Sequence, residues 1–82
     1  MNEIFIKYNY LSLTEFLAHN SVNEDYKENR EIATYYERFL KNTDYIANKI
    51  IEAQVLNLSC DDYKDVLLAR QYARDQINLY RE

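Results

Sequence analysis

The chain has 82 residues and a formal net charge of -4, with nine tyrosines, one cysteine and neither glycine nor proline. Bare nucleic acid and anionic membrane surfaces are poor partners for an acidic chain, because both are negatively charged. Tight β-hairpin turns depend on glycine, so we expect an all-α fold in a single domain. The expected architecture is a compact bundle of three main helices, with a short leading helix and an extended N-terminal arm.

The first predicted element is the extended arm, over residues 3–10. Its apolar residues occur at every second position: Ile4, Ile6, Tyr8 and Tyr10. A period of two is typical of a strand, and a lone strand must pack on helices or pair with another chain. A short helix over residues 13–19 follows, because Ser12 and Glu15 have the spacing of a capping box.

Three longer helices are predicted over residues 22–41, 44–58 and 62–80, each with apolar residues at helical spacing. Ser21 and Glu24 repeat the capping-box pattern at the start of the first. The segment 42–44 is a weak break, so the sequence leaves open whether the first two helices are continuous. In chain order, the apolar stripes are Val22, Tyr26, Ala33, Tyr36 and Leu40; Ile46, Ala47, Ile50, Ile51, Val55 and Leu58; and Tyr63, Val66, Leu67, Ala73, Ile77 and Tyr80.

Residues suited to catalysis or metal binding are few and isolated. His19 is the only histidine, and it is expected to be a polar residue in the last turn of the short helix. Cys60 lies beside Asp61 and Asp62, whose charges oppose thiolate formation. With Asp65, these acids lack the glycine and glutamate of a calcium-binding EF-hand loop. We therefore expect no enzyme activity, no metal and no cofactor.

Cellular location is predicted from the cysteine content and the N-terminus. A single cysteine cannot form an internal disulfide and fits a reducing compartment. The first residues also lack the basic start of a signal peptide, and no apolar run approaches the length of a membrane span. A cytoplasmic protein is expected.

Two surface features indicate a protein-binding role. The first is an acidic stripe with a tyrosine anchor, on the polar side of the helix predicted over residues 22–41 and suited to a basic groove: Glu24, Asp25, Glu28, Glu31 and Tyr35. The second is another apolar row on the last helix, formed by Leu68, Tyr72 and Leu79. A helix that is apolar on two sides is normally covered on both, either by the N-terminal arm and short helix or by another chain.

The function expected from these features is stoichiometric binding to a larger protein with a basic surface. Its abundant tyrosine, asparagine and isoleucine are typical of an A+T-rich genome. A small acidic helical domain of this kind would suit a phage or mobile element that encodes an inhibitor of host machinery.

Two alternatives remain open at this point. One is a small dimeric helix-turn-helix regulator, since Ala53, Asn57, Tyr63 and Val66 follow the spacing of that motif. Its recognition helix would begin with acids, which disfavours DNA, although arginines further along could reach a phosphate backbone: Arg70, Arg74 and Arg81. The other is a structural or assembly subunit whose arm pairs with a neighbouring copy.

Overall fold

The computed structural model describes residues 2–57 and 63–81, and all of its regular elements within these ranges are helices. In chain order they are α1 (Asn2–Asn9), α2 (Leu13–Asn20), α3 (Glu28–Asn42), α4 (Asp44–Val55) and α5 (Lys64–Tyr80). The predicted all-α fold is confirmed for this part of the chain. None of these helices is both long enough and apolar enough to cross a membrane.

The predicted extended arm over residues 3–10 is wrong, because this segment forms α1. Ile4 and Tyr8 are half-buried and Phe5 and Asn9 are buried, whereas Ile6 and Lys7 between the two pairs are exposed. Covered pairs that recur every four residues are typical of a helix and do not fit the alternation of a strand. The sequence is compatible with both periods, and the packing of Phe5 into the core selects the helix. The helix ends where Tyr10 takes a positive φ of 69°.

The helix predicted over residues 22–41 begins at Glu28 instead, after a segment of turns. Ser21 does not start this helix because its hydroxyl closes α2, donating a hydrogen bond to the carbonyl oxygen of Ala18 at 2.9 Å. Val22, predicted to lie in the core, is exposed in the turns. The residue before α3 is Lys27, whose side chain makes no capping hydrogen bond.

Thr43 separates α3 from α4, so the helices on either side of it are distinct. Its hydroxyl donates to the carbonyl oxygen of Phe39 at 2.8 Å and accepts a hydrogen bond from Arg70 Nη1 at 2.6 Å. Arg70 also donates to the carbonyl oxygen of Leu40 and pairs with Asp44 at 3.3 Å. A cation at the C-terminal end of a helix satisfies carbonyl groups that lack partners within the helix.

After α4, which ends at Val55, the chain turns through Asn57 in the left-handed conformation at a φ of 58°. Asparagine tolerates this backbone better than most residues. The predicted helix end at residue 58 and helix start at residue 62 lie outside the described residues. Ile51 and Val55, both expected in the core, are exposed on α4.

The main core has aromatic side chains from α1 and α3 on one side and small side chains from α5 on the other. Phe5 of α1 contacts the rings of Phe39 and Tyr36, with ring centroids 4.5 and 5.3 Å away. Across from them, Ala69 and Ala73 of α5 are fully buried, and their small size lets α3 and α5 approach closely. Aromatic rings in such edge-on contacts stabilise a core beyond the area they bury.

A second, smaller core joins α4 to the rest of the protein. It is formed by Ile46, Ile50 and Val66, with Ile4 and Tyr8 of α1 packed against both cores. The described chain measures 49 × 24 × 17 Å and has a Cα radius of gyration of 14.4 Å. A compact chain of this length would have a radius near 12 Å, so the molecule is elongated.

Candidate protein-binding surface

The predicted acidic stripe does not form a continuous face with an aromatic anchor. Glu24 and Asp25 precede α3, and only Glu28 and Glu31 lie on that helix. Glu31 is largely covered and lies 3.6 Å from the guanidinium of Arg30. Glu24, Asp25 and Glu28 are exposed, so the acids remain on the surface without the tyrosine that was expected to anchor them.

Tyr35, the expected anchor, is in the core and only 1% exposed. Its hydroxyl donates a hydrogen bond to the carbonyl oxygen of Leu11 at 2.9 Å, and its ring lies 5.5 Å from that of Phe16. Burial raises the pKa of Tyr35, because the ionised phenolate would lose its hydration. The position is buried because α1 and α2 both pack on α3, which widens the covered part of that helix beyond one stripe.

The second predicted feature, the apolar row on α5, is at the surface. Leu68 is 55% exposed, Leu79 is 68% exposed and Tyr72 is 38% exposed. The same helix buries its opposite side against the core through Val66, Ala69, Ala73 and Ile77. We call Leu68, Tyr72 and Leu79 the outer row, together with Asp65, which precedes Leu68 on the same face, and Asp75, which lies between Tyr72 and Leu79.

The N-terminal segment covers only part of the outer row. The ring of Phe5 lies 5.8 Å from that of Tyr72, and the ring of Tyr36 lies at the same distance. The pKa of Tyr36 is raised, first by burial and then by its neighbour Tyr72. Leu68 borders an open groove of about 470 Å³ that runs between α1 and α5. Leu68 and Leu79 therefore remain more than half exposed, although α1 touches the middle of the row.

The charges beside the outer row are mostly acidic. Asp65, Leu68, Tyr72, Asp75 and Leu79 recur at i, i+3, i+7, i+10 and i+14, which places them on one helix face. Glu3 and Lys7 of α1 line the groove next to Leu68, so one base accompanies the acids there. Asp75 accepts a hydrogen bond from Gln71 at 3.0 Å and stays exposed.

Two of the three arginines near the end of the chain are engaged within the fold. Arg70 is held at the junction of α3 and α4, where its side chain is largely covered. Arg81 forms an ion pair with Glu37 of α3. Arg74 is exposed and donates only to Gln71 on its own helix.

Asp75 and the groove residues of α1 were not identified from the sequence. Asp75 could have been found, since it shares the helical spacing of Leu68 and Leu79. Glu3 and Ile4 could not, because an extended arm would place them differently from the helix that brings them beside Leu68.

The residues considered for chemistry lie only partly within the described ranges. His19 is exposed in the last turn of α2, whereas Cys60, Asp61 and Asp62 lie outside the described residues. Among residues 2–57 and 63–81, no group of three or more histidine, cysteine or acidic side chains could hold a metal ion. Comparison with protein-family models, with curated proteins and with solved structures finds no match to this chain.

Proposed function

We propose that this protein is a binding module that contacts a larger protein partner through the outer row of α5. The observation that carries the proposal is the exposure of Leu68 and Leu79 on a helix whose other side is already buried. A helix with two apolar sides is stable in water when both are covered. Covering the exposed halves of these leucines would contribute about 1 kcal/mol each to association.

The chemistry of the row favours a partner surface that combines apolar groups with basic ones. Asp65 precedes Leu68 and Asp75 precedes Leu79 on the same face, and Tyr72 supplies a ring with a polar end, which is the kind of residue that anchors interfaces. Basic groups on the partner would speed the encounter with this acidic chain. The acids Glu24, Asp25 and Glu28 add to that attraction without being part of the contact.

Such a surface would serve either an inhibitor, which covers a site on its partner, or a factor that recruits the partner. Covering a site is the simpler mode of action for a chain of this size. DNA binding is less well supported. Of the arginines that a DNA-binding helix could use on phosphates, Arg70 is held by groups at the junction of α3 and α4, and Arg81 is paired with Glu37 at the surface.

The test is capture of partners from a lysate of the source cell, compared between variants by quantitative mass spectrometry. Leu68→Asp combined with Leu79→Asp should abolish capture of the specific partner, because it places two more charges on the apolar row. Val22→Asp combined with Asn29→Asp adds the same charge at exposed positions away from the row and should leave capture unchanged. Equal capture by both double variants would contradict the proposal.

A further inference from the structure

Helix α4 has apolar residues on more than one side, and the rest of the fold covers only one of these sides. Ile46, Ile50 and Ala53 face the small core and are buried. On another side of the same helix, Tyr45 is 54% exposed and Leu56, which caps the helix, is 66% exposed. Leu56 continues the helical path, since its N–H donates to the carbonyl oxygen of Glu52 at 3.0 Å.

Tyr45 and Leu56 belong to one row with two opposite charges between them. The row, which we call the α4 row, is Tyr45, Lys49, Glu52 and Leu56, at i, i+4, i+7 and i+11, and all four side chains are exposed. The ammonium of Lys49 lies 5.7 Å from the centre of the Tyr45 ring, so the lysine is held along the row.

The α4 row is complementary to itself when two copies run antiparallel. The point midway between Tyr45 and Leu56 is also midway between Lys49 and Glu52. A two-fold axis through that point therefore brings each tyrosine against a leucine and each lysine against a glutamate of the second copy. Symmetric dimers form through self-complementary patches of this kind.

Other partners fit the row less well. A parallel copy would place Lys49 against Lys49, which is repulsive. A uniformly basic surface would leave Lys49 opposed by like charge, and a uniformly acidic one would do the same to Glu52. We propose that the α4 row is a self-association surface on which two copies of this chain pair as antiparallel helices.

This contact is separate from the outer row of α5, so it holds or fails independently of the proposed partner binding. A single pair of helices of this length makes a small interface. We expect a weak dimer, with a dissociation constant on the order of 100 µM.

The test is sedimentation equilibrium of purified full-length protein with charge-reversal variants. Lys49→Glu and Glu52→Lys each replace two attractive pairs by two repulsive ones, so each should weaken self-association by about tenfold or more. An equimolar mixture of the two single variants should associate as well as the wild type, because each lysine then meets a glutamate again. The double variant, which exchanges the two charges, should also self-associate like the wild type.

Matched controls change the net charge equally at exposed positions away from α4: Lys41→Glu for the first variant and Glu24→Lys for the second. Both should dimerise as the wild type does. Circular dichroism of every variant checks that helix content is preserved. A wild type that stays monomeric at millimolar concentration would overturn the proposal. So would single variants that associate as tightly as the wild type, or a mixture that associates no better than its components.

Discussion

Arg70 joins the end of α3, the junction residue Thr43 and the start of α4 through one guanidinium. Replacing it by methionine keeps most of the volume and removes every one of these hydrogen bonds. We expect Arg70→Met to lower the free energy of unfolding by about 2–3 kcal/mol, measured by urea denaturation. Arg74→Met, one turn further along and exposed, should cost less than about 0.5 kcal/mol. Similar costs for the two variants would show that the junction does not depend on Arg70.

The buried tyrosines predict how stability depends on pH. The pKa values of Tyr35 and Tyr36 are raised above the usual tyrosine value of about 10, chiefly by burial. Their contribution to stability is therefore complete below pH 10 and is lost as the pH rises above it, because only the unfolded chain releases these protons readily.

The measurement is urea denaturation between neutral and strongly alkaline pH. Tyr35→Phe combined with Tyr36→Phe should reduce the alkaline loss of stability, since two protons no longer distinguish the folded and unfolded states. Tyr10→Phe, at a highly exposed position, should leave the pH dependence of the wild type unchanged. An equal alkaline loss in the double variant and the wild type would contradict this prediction.

A capping box can be predicted from the sequence when its serine caps the helix that follows it. Ser12 accepts a hydrogen bond from the backbone N–H of Glu15 at 3.1 Å, which is the capping interaction that their spacing predicts. Ser21 and Glu24 have the same spacing, but the Ser21 hydroxyl is bonded to the helix that precedes it. A pattern alone cannot tell which of two neighbouring helices will use the hydroxyl.

At the scale of the element, α1 gives a direct test of helix against strand. In the helix Phe5 is buried and Ile6 is exposed, whereas the strand predicted from the sequence, with Ile4, Ile6 and Tyr8 on its inner side, would place Phe5 on the outer one. We expect Phe5→Ala to cost about 3–4 kcal/mol of unfolding free energy by urea denaturation, and Ile6→Ala to cost less than about 1 kcal/mol. The reverse order of costs would indicate an extended segment.

The apolar stripes of the helices were only partly predictable. Val66, Ala73 and Ile77 of α5 are buried as their spacing predicts. Tyr35 is not on the polar side where its spacing placed it, because one apolar stripe on α3 serves one neighbouring helix, whereas α3 packs against α1 and α2 as well as α5. Which helices pack against which depends on contacts between distant residues, and these are not visible in a local period.

At the scale of the whole molecule, the two cores make the protein longer than a single core would. The sequence predicts a bundle, but it does not show that α4 packs on a separate cluster from the one around Phe39. Small-angle X-ray scattering of a dilute solution should give a radius of gyration slightly above the Cα value of 14.4 Å, because hydration adds to it. A value near 12 Å, typical of a compact chain of this length, would contradict the elongated shape.

The outer row and the α4 row are two separate surfaces, for which we propose contact with a different protein and with a second copy of the chain, respectively. A charge change on α4 should alter self-association without reducing contact at the outer row, because the rows lie on different helices. A substitution on the outer row should reduce partner binding without altering self-association.

Partner binding through the outer row is tested most directly by photo-crosslinking in the source cell. A photoreactive residue is placed at Leu79, at the adjacent exposed Asn78, or at the exposed Val22 in the turns before α3. We expect one dominant crosslinked protein from Leu79, less of it from Asn78 and none from Val22. Equal crosslinking from Leu79 and Val22, or none from Leu79, would contradict binding at this surface.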